Sequence, residues 1–249
     1  RRARLLIEKG VGPDSVVAVA LDRSVSLLTA FWAVAKTGAG YLAVDLGPEE
    51  TAKSGQLGAS THVLVSRSAA REPADSGPLW IEVDDIDDQD LTSEPINGSE
   101  LPRPVGVDDI AYLAAAGHTG EGAVGEITHA ALTNLARETV RRSNIDEYAR
   151  VLGYADPTSD SVVVETLLAA AAGAELVYRP ADAVDGPALQ EFLNEQEITH
   201  AQLTPQVLRT LESFALPLLQ VVFVDEATTL DSDLRDEWFI NQVWLDELN

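Results

Sequence analysis

The sequence predicts an α/β fold of mostly parallel strands joined by crossover helices. Three observations lead there. Short apolar runs alternate with amphipathic helical patterns, and glycine or proline stands at many of the boundaries. Apolar residues make up 45% of the 249 positions, enough to build a sizeable core. Strands that alternate with helices in this way pair in parallel, because a hairpin cannot connect them.

Taken in order, RARLLIEK has helical spacing and stops at Gly10, and SVVAVAL (15–21) is a short buried strand. VSLLTAFWAVAKTG (25–38) is a helix ended by glycine, and YLAVD (41–45) is a second strand. A weakly formed helix follows over 49–57, then strands THVLVS (61–66) and LWIEVDD (79–85). Residues 84–104 are acidic and rich in Ser, Pro and Gly, which marks a solvated, mobile surface linker. The alternation resumes with strand 109–115, a glycine-rich loop and a helix over 128–143 whose N-cap is Thr128. Strand 151–155, helix 161–173, strand 175–179, helices 187–196 and 204–214, strand 218–225 and helix 232–248 complete the chain. No simple short repeat is visible.

The net charge is −24, from 41 acidic and 17 basic residues, which disfavours nucleic acid and anionic membrane as partners. The absence of cysteine excludes disulfides, thiolate metal sites and thiol nucleophiles, in keeping with a cytoplasmic protein. His62, His118, His129 and His200 have no metal-ligand spacing, and no nucleophile-elbow motif occurs. No apolar run spans a bilayer and no leader opens the chain. With no methionine anywhere, the chain reads as an excerpt that begins mid-domain.

The informative stretch is AAAGHTGEGAVGEITHAAL (114–132). A glycine-rich turn between a strand and a helix presents backbone N–H groups to an anion. This one contains no Lys or Arg and carries two glutamates, and it matches neither the dinucleotide nor the Walker pattern.

With its flanks, AYLAAAGHTGEGAVGEITHAALTNL resembles the phosphate-binding motif of adenylate-forming enzymes, specifically the adenylation domains of nonribosomal peptide synthetases. Gly117, Thr119, Gly120, Thr128 and His129 agree with that motif. His118 replaces a serine, Gly122 a proline, Ala123 the lysine and Val124 a glycine, while Ala115 and Ala116 stand where upstream hydroxyls belong. In the family these hydroxyls and the lysine hold the pyrophosphate of ATP while a carboxylate attacks the α-phosphorus, and such chemistry depends on placed charge. Gly117, His118, Thr119, Gly120 and Ala123 therefore read as a vestigial phosphate loop, with Glu121 adding repulsion.

Three other stretches are similar to the same family. LLTAFWAVAKTGAGYLAVDLGPEE (27–50) matches a structural helix-to-strand motif through Lys36, Gly38, Tyr41, Leu42 and Asp45. VLGYADPTSDSVVVETLLAAAAGAELVY (151–178) places Asp160 where the family holds the substrate's α-amino group, with Ser161 and Val164 on side-chain pocket positions. The competing reading is that Asp160 caps the helix beginning at Ser161. In ITHAQLTPQVLRTLESFALPLLQVVFVDEATTL (198–230), Val224 and Asp225 replace a glycine pair, which would crowd the pocket and repel a carboxylate.

The resemblance implies part of an N-terminal core with stacked, mostly parallel sheets, extending over 1–238, and no C-terminal lid. The tail 239–249 bears Phe239, Ile240, Val243, Trp244 and Leu248 on one side, and reads either as the first helix of a carrier domain or as a packing helix. The implied function is a truncated, catalytically inactive adenylation-like domain that scaffolds or docks condensation and peptidyl carrier domains of a synthetase. ATP and Mg belong to the family, but no cofactor and no metal are expected here. The alternatives are amino-acid activation aided in trans, and a nucleotide- or partner-binding module without turnover.

Overall fold

The computed structural model describes residues 1–46, 60–66, 77–83, 91–115 and 124–224. The chain divides into two units, Arg1–Leu132 with Pro157–Asp160, and Thr133–Asp156 with Ser161–Asn249. The expected helices at 49–57 and 232–248, including the tail, lie outside the described residues.

In the first unit, α1 (Arg2–Glu8) leads into β1 (Val16–Ala20), followed by α2 (Val25–Thr37), β2 (Gly40–Ala43), β3 (His62–Val65), β4 (Leu79–Glu82), β5 (Ile110–Ala115) and β6 (Val124–Thr128). The ends of α2 follow from local chemistry. The Ser24 hydroxyl accepts the Leu27 N–H at 3.3 Å, and Gly38 closes the helix in the left-handed conformation at φ 77°. The strand order is β4-β3-β1-β2-β5-β6, parallel throughout except for β6. Ala18, Leu42, Val63, Val65 and Leu113 form a buried apolar cluster on this sheet.

In the second unit, α3 (His129–Ser143, whose first turn belongs to the first unit) precedes β7 (Arg150–Gly153), α4 (Ser161–Ala172), β8 (Glu175–Tyr178), α5 (Gly186–Glu195), β9 (His200–Leu203), α6 (Pro205–Leu208) and β10 (Val221–Val224). The sheet order is β10-β9-β7-β8, all parallel. Alternate strand residues serve opposite faces. Leu152, Leu203, Val222 and Val224 pack with Leu189 and Leu193 of α5, whereas Val151, Val221 and Phe223 pack with Leu168 and Ala169 of α4.

The structure contains an internal repeat that the sequence conceals. The order β4-β3-β1-β2 recurs as β10-β9-β7-β8, and the registers coincide: Val17 pairs with His62 as Val151 pairs with His200. Gly38 and Gly173 occupy equivalent left-handed helix ends, at φ 77° and 72°. Gly10 and Asn144 do the same after α1 and α3, at φ 90° and 53°. Few residue identities mark the correspondence, because a buried strand accepts almost any β-branched or aliphatic side chain.

Several expectations change. Residues 124–128 form an edge strand antiparallel to β5 rather than the end of a loop, although Thr128 still caps α3 by accepting the Ala131 N–H at 3.2 Å. The helix expected over 204–214 stops at Leu208, with a separate 3-10 turn at Ser213–Ala215. There the Thr210 hydroxyl donates back to the Val207 carbonyl at 2.7 Å and accepts the Gly186 N–H at 2.9 Å, a local alternative to helix continuation. β9 is a further strand, short enough to escape a periodicity reading.

The 91–104 part of the linker is surface-lying but pinned. Arg4 donates to both carboxylate oxygens of Glu100, at 2.7 and 3.1 Å, and to the carbonyls of Thr92, Glu94 and Pro95 at 2.6 to 3.0 Å. Arg103 forks onto Asp14 and Asp109, each at 2.7 Å. A polar composition signalled solvation, and it could not signal that two guanidinium groups hold the segment down.

The paired glycines give a test. A β-carbon at Gly173 meets only Glu147 at 3.8 Å, so Gly173→Ala costs the left-handed strain alone, about 1–2 kcal/mol. A β-carbon at Gly38 comes 2.5 Å from Val105, so Gly38→Ala adds overpacking of about 1–3 kcal/mol. Denaturant unfolding of the two variants should rank Gly38→Ala as the more destabilised.

Candidate functional site

The residues singled out from the sequence fall into separate surroundings. Gly117, His118, Thr119, Gly120, Ala123 and Asp225 lie outside the described residues. The strands that flank the glycine-rich segment are described: β5 and β6 pair from Ala115–Val124 down to Ile110–Thr128, with an irregularity after Ile110. That hairpin sets where the two ends of the segment emerge.

In the first unit, Asp160 immediately precedes the N-terminus of α4 and accepts a hydrogen bond from the Tyr112 hydroxyl of β5. Tyr112 is buried and stacks on Tyr41, with ring centroids 6.1 Å apart, and Tyr41 meets Phe31 of α2 edge-on at 5.2 Å. An aromatic chain thus runs from α2 through β2 to the carboxylate. Burial first, and then the negative charge of Asp160, hold the Tyr112 phenol well above its ordinary value of 10.0. Asp160 is therefore engaged by a side chain as well as standing at the capping position. Sequence reasoning found the carboxylate and missed its partner. A polar-tipped aromatic within an apolar strand was the available signal.

In the second unit, Ser161 and Val164 lie one turn apart near the start of α4, both buried. The Ser161 hydroxyl accepts from Nε2 of Gln202 on β9 at 3.1 Å, and the Oε1 of the buried Gln202 has no partner among the described residues. Glu165, on the same helix, is buried and receives the Tyr154 N–H at 3.1 Å and the Ala155 N–H at 3.0 Å. It closes the backbone beyond the end of β7. Val224 on β10 is paired in register with Leu203 and belongs to the apolar cluster around Leu152 and Leu193. Neither Gln202 nor Glu165 was visible in advance, because each is a polar residue whose role depends on which strand or turn it meets.

Among the described residues no group of three or more His, Asp or Glu side chains could hold a metal ion, and no helix is long and apolar enough to cross a membrane.

Two outcomes check this geometry. The unfolded chain releases the Tyr112 proton before the folded one does as pH rises. The stability tied to Tyr112 is thus present below pH 10.0 and lost above it. Tyr112→Phe should flatten that alkaline loss in a pH series of unfolding curves. Glu165→Ala should cost about 1–3 kcal/mol in denaturant unfolding, because it removes the carboxylate that accepts from the buried Ala155 N–H and the part-buried Tyr154 N–H.

The comparisons with known proteins agree with this architecture. The family description "AMP-binding enzyme" matches residues 1–238. Novobiocin biosynthesis protein H of Streptomyces niveus is 34% identical over 237 residues, which cover 90% of this chain and 39% of that protein. Bacitracin synthase 3 of Bacillus licheniformis is 30% identical over 253 residues, which cover 98% of this chain and 4% of that protein. The crystal structure of the nonribosomal peptide synthetase FmoA3 (S1046A) superposes with a TM-score of 0.79 at 22% identity, covering 97% of this chain and 26% of that one, and shows a shared fold. The chain spans well under half the length of each. On the match over residues 1–238, the chain belongs to the AMP-binding enzyme family, with the α/β architecture of the N-terminal core of adenylate-forming enzymes.

Proposed function

We propose that this chain carries the adenylation fold of a nonribosomal peptide synthetase without the adenylation chemistry. In this reading it serves as a scaffold or docking platform for neighbouring condensation and peptidyl carrier domains, in the cytoplasm. The observation that carries the reading is the donor set of the 114–126 segment. Ala115, Ala116, His118 and Ala123 stand where the family places hydroxyls and a lysine, and Glu121 and Glu126 add negative charge.

A triphosphate with its magnesium needs hydroxyl and cationic donors aimed at its oxygens. The residues present offer Thr119, backbone N–H groups and the His118 imidazole, with no Lys or Arg among them. That set does not fit a magnesium triphosphate, so the chain is assigned no step that passes through one. Losing a single placed donor in a preorganised site typically costs about 10²–10³ in rate, and several are replaced at once. The apolar framework, by contrast, is intact: both sheets are covered by buried clusters. Intact packing beside a depleted site supports retention for shape.

One observation favours a second reading. Asp160 persists at the position matched to the family's amino-group anchor, and Tyr112 holds it. A module that binds a small amine-bearing molecule without turnover would use that carboxylate. ATP–pyrophosphate exchange with each common amino acid, in the presence of the flanking domains, decides between them. The expected result is no exchange above an empty-vector background, together with retention of the flanking domains in a pull-down. Exchange above background would overturn the scaffold reading, and calorimetric binding of an amino acid without exchange would favour the second.

A further inference from the structure

The two buried histidines of the repeat, His62 and His200, are used by no chemistry described above, and their hydrogen-bond partners correspond one to one. Each follows a threonine, and each sits at the start of a strand beside the first strand of its repeat. The Thr61 hydroxyl accepts the Val16 N–H at 3.2 Å, lies 3.0 Å from the Val16 carbonyl oxygen and 2.8 Å from His62 Nδ1. The Thr199 hydroxyl accepts the Arg150 N–H at 2.9 Å, lies 3.2 Å from the Arg150 carbonyl oxygen and 2.8 Å from His200 Nδ1. The far ring nitrogens also correspond. His62 Nε2 is 3.1 Å from the Lys9 carbonyl at the end of α1, and His200 Nε2 is 3.3 Å from the Ser143 carbonyl at the end of α3.

A carbonyl opposite Nε2 requires a proton on Nε2, so the neutral ring must accept at Nδ1. The threonine then donates its only proton to Nδ1. If Nδ1 takes up a proton, the same hydroxyl can turn, donate to the strand carbonyl and accept from Nδ1–H on its second lone pair. Every donor and acceptor is satisfied in both states, and nothing but a hydroxyl hydrogen moves.

We propose that Thr61–His62 and Thr199–His200 are twin proton-tolerant staples. In each, a threonine hydroxyl acts as a rotor that lets a buried imidazole gain or lose a proton while the helix end stays fastened to the sheet. The charged groups nearby differ between the copies, while the hydrogen-bond frame does not. Near His200 the relevant charges are Asp146, which favours the protonated ring, and Arg150, whose guanidinium is held by Glu175 and the Gln196 carbonyl. Of the elements around His62, α1 carries Arg2, Arg4 and Glu8 and is followed by Lys9, β4 carries Glu82 opposite Val65, and β1 carries no charge. Burial draws the His200 ring below its ordinary value of 6.5, while the Ser143 carbonyl and then Asp146 act in the opposite direction.

Long-range proton–nitrogen correlation spectra of the ¹⁵N-labelled chain test the arrangement. Both rings should show the Nε2–H tautomer at neutral pH, and His200 should keep its Nε2–H hydrogen bond on acidification. Thr199→Val removes an acceptor that the charged ring needs more than the neutral ring needs a donor, so the His200 midpoint should fall by about one pH unit. Thr199→Ser should restore it. An Nδ1–H tautomer in either neutral ring, or a Thr199→Val midpoint equal to the parent's, would overturn the proposal. If Thr199→Val does not fold, the tautomers and the persistence of the Nε2–H bond in the parent chain decide alone, and loss of that bond on protonation overturns it.

Discussion

Parallel strand pairing is the constraint on which the architecture rests. A parallel sheet needs crossover connections, and these place helices against its faces, so nearly every strand position must be apolar on both sides. The second sheet shows the result directly: Leu152 and Val151, adjacent in sequence, belong to different apolar clusters. With so little freedom left inside the strands, most of the buried polar chemistry among the described residues sits at strand ends and helix starts, with Tyr112 in β5 and Gln202 in β9 as exceptions. Ser161 and Glu165 stand near the beginning of α4 in the second unit, the buried Tyr112 of the first unit presents its hydroxyl to Asp160, and the Thr–His pairs stand at the leading ends of their strands.

Much of the fold was legible because punctuation and periodicity agreed. Ser24 and Gly38 bracket α2 as their chemistry dictates, and the apolar runs at β1, β3 and β7 formed strands where the pattern put them. What escaped was non-local. β6 reads as the end of a glycine-rich loop until its pairing with β5 is known, and Leu208 ends a helix because Thr210 has a better offer from Gly186. The repeat escaped for the same reason. Its markers are a register, two left-handed helix ends and a Thr–His pair, none of which makes a recognisable word in the sequence.

The candidate site was legible in part. The resemblance pointed to Asp160 and Ser161, and the structure gives both a side-chain partner. It did not reveal that the partners would be Tyr112 and Gln202, since each pairing joins residues more than forty positions apart. The glycine-rich segment shows the reverse situation. What can be read there is residue type alone: the stretch 114–132 contains no Lys or Arg, so no cation comes from the segment itself.

Arg4 has a consequence for how the molecule can be divided. All five of its N–H groups are committed to a segment some ninety residues downstream, so the first helix and the strap at 92–100 are mutual supports. A fragment cut just after residue 4 would lose more than a few terminal residues. It would expose the carbonyls of Thr92, Glu94 and Pro95 together with the Glu100 carboxylate, and unfasten the approach to β5. The sensible place to trim this unit lies elsewhere, since its opening turn is structurally part of its middle.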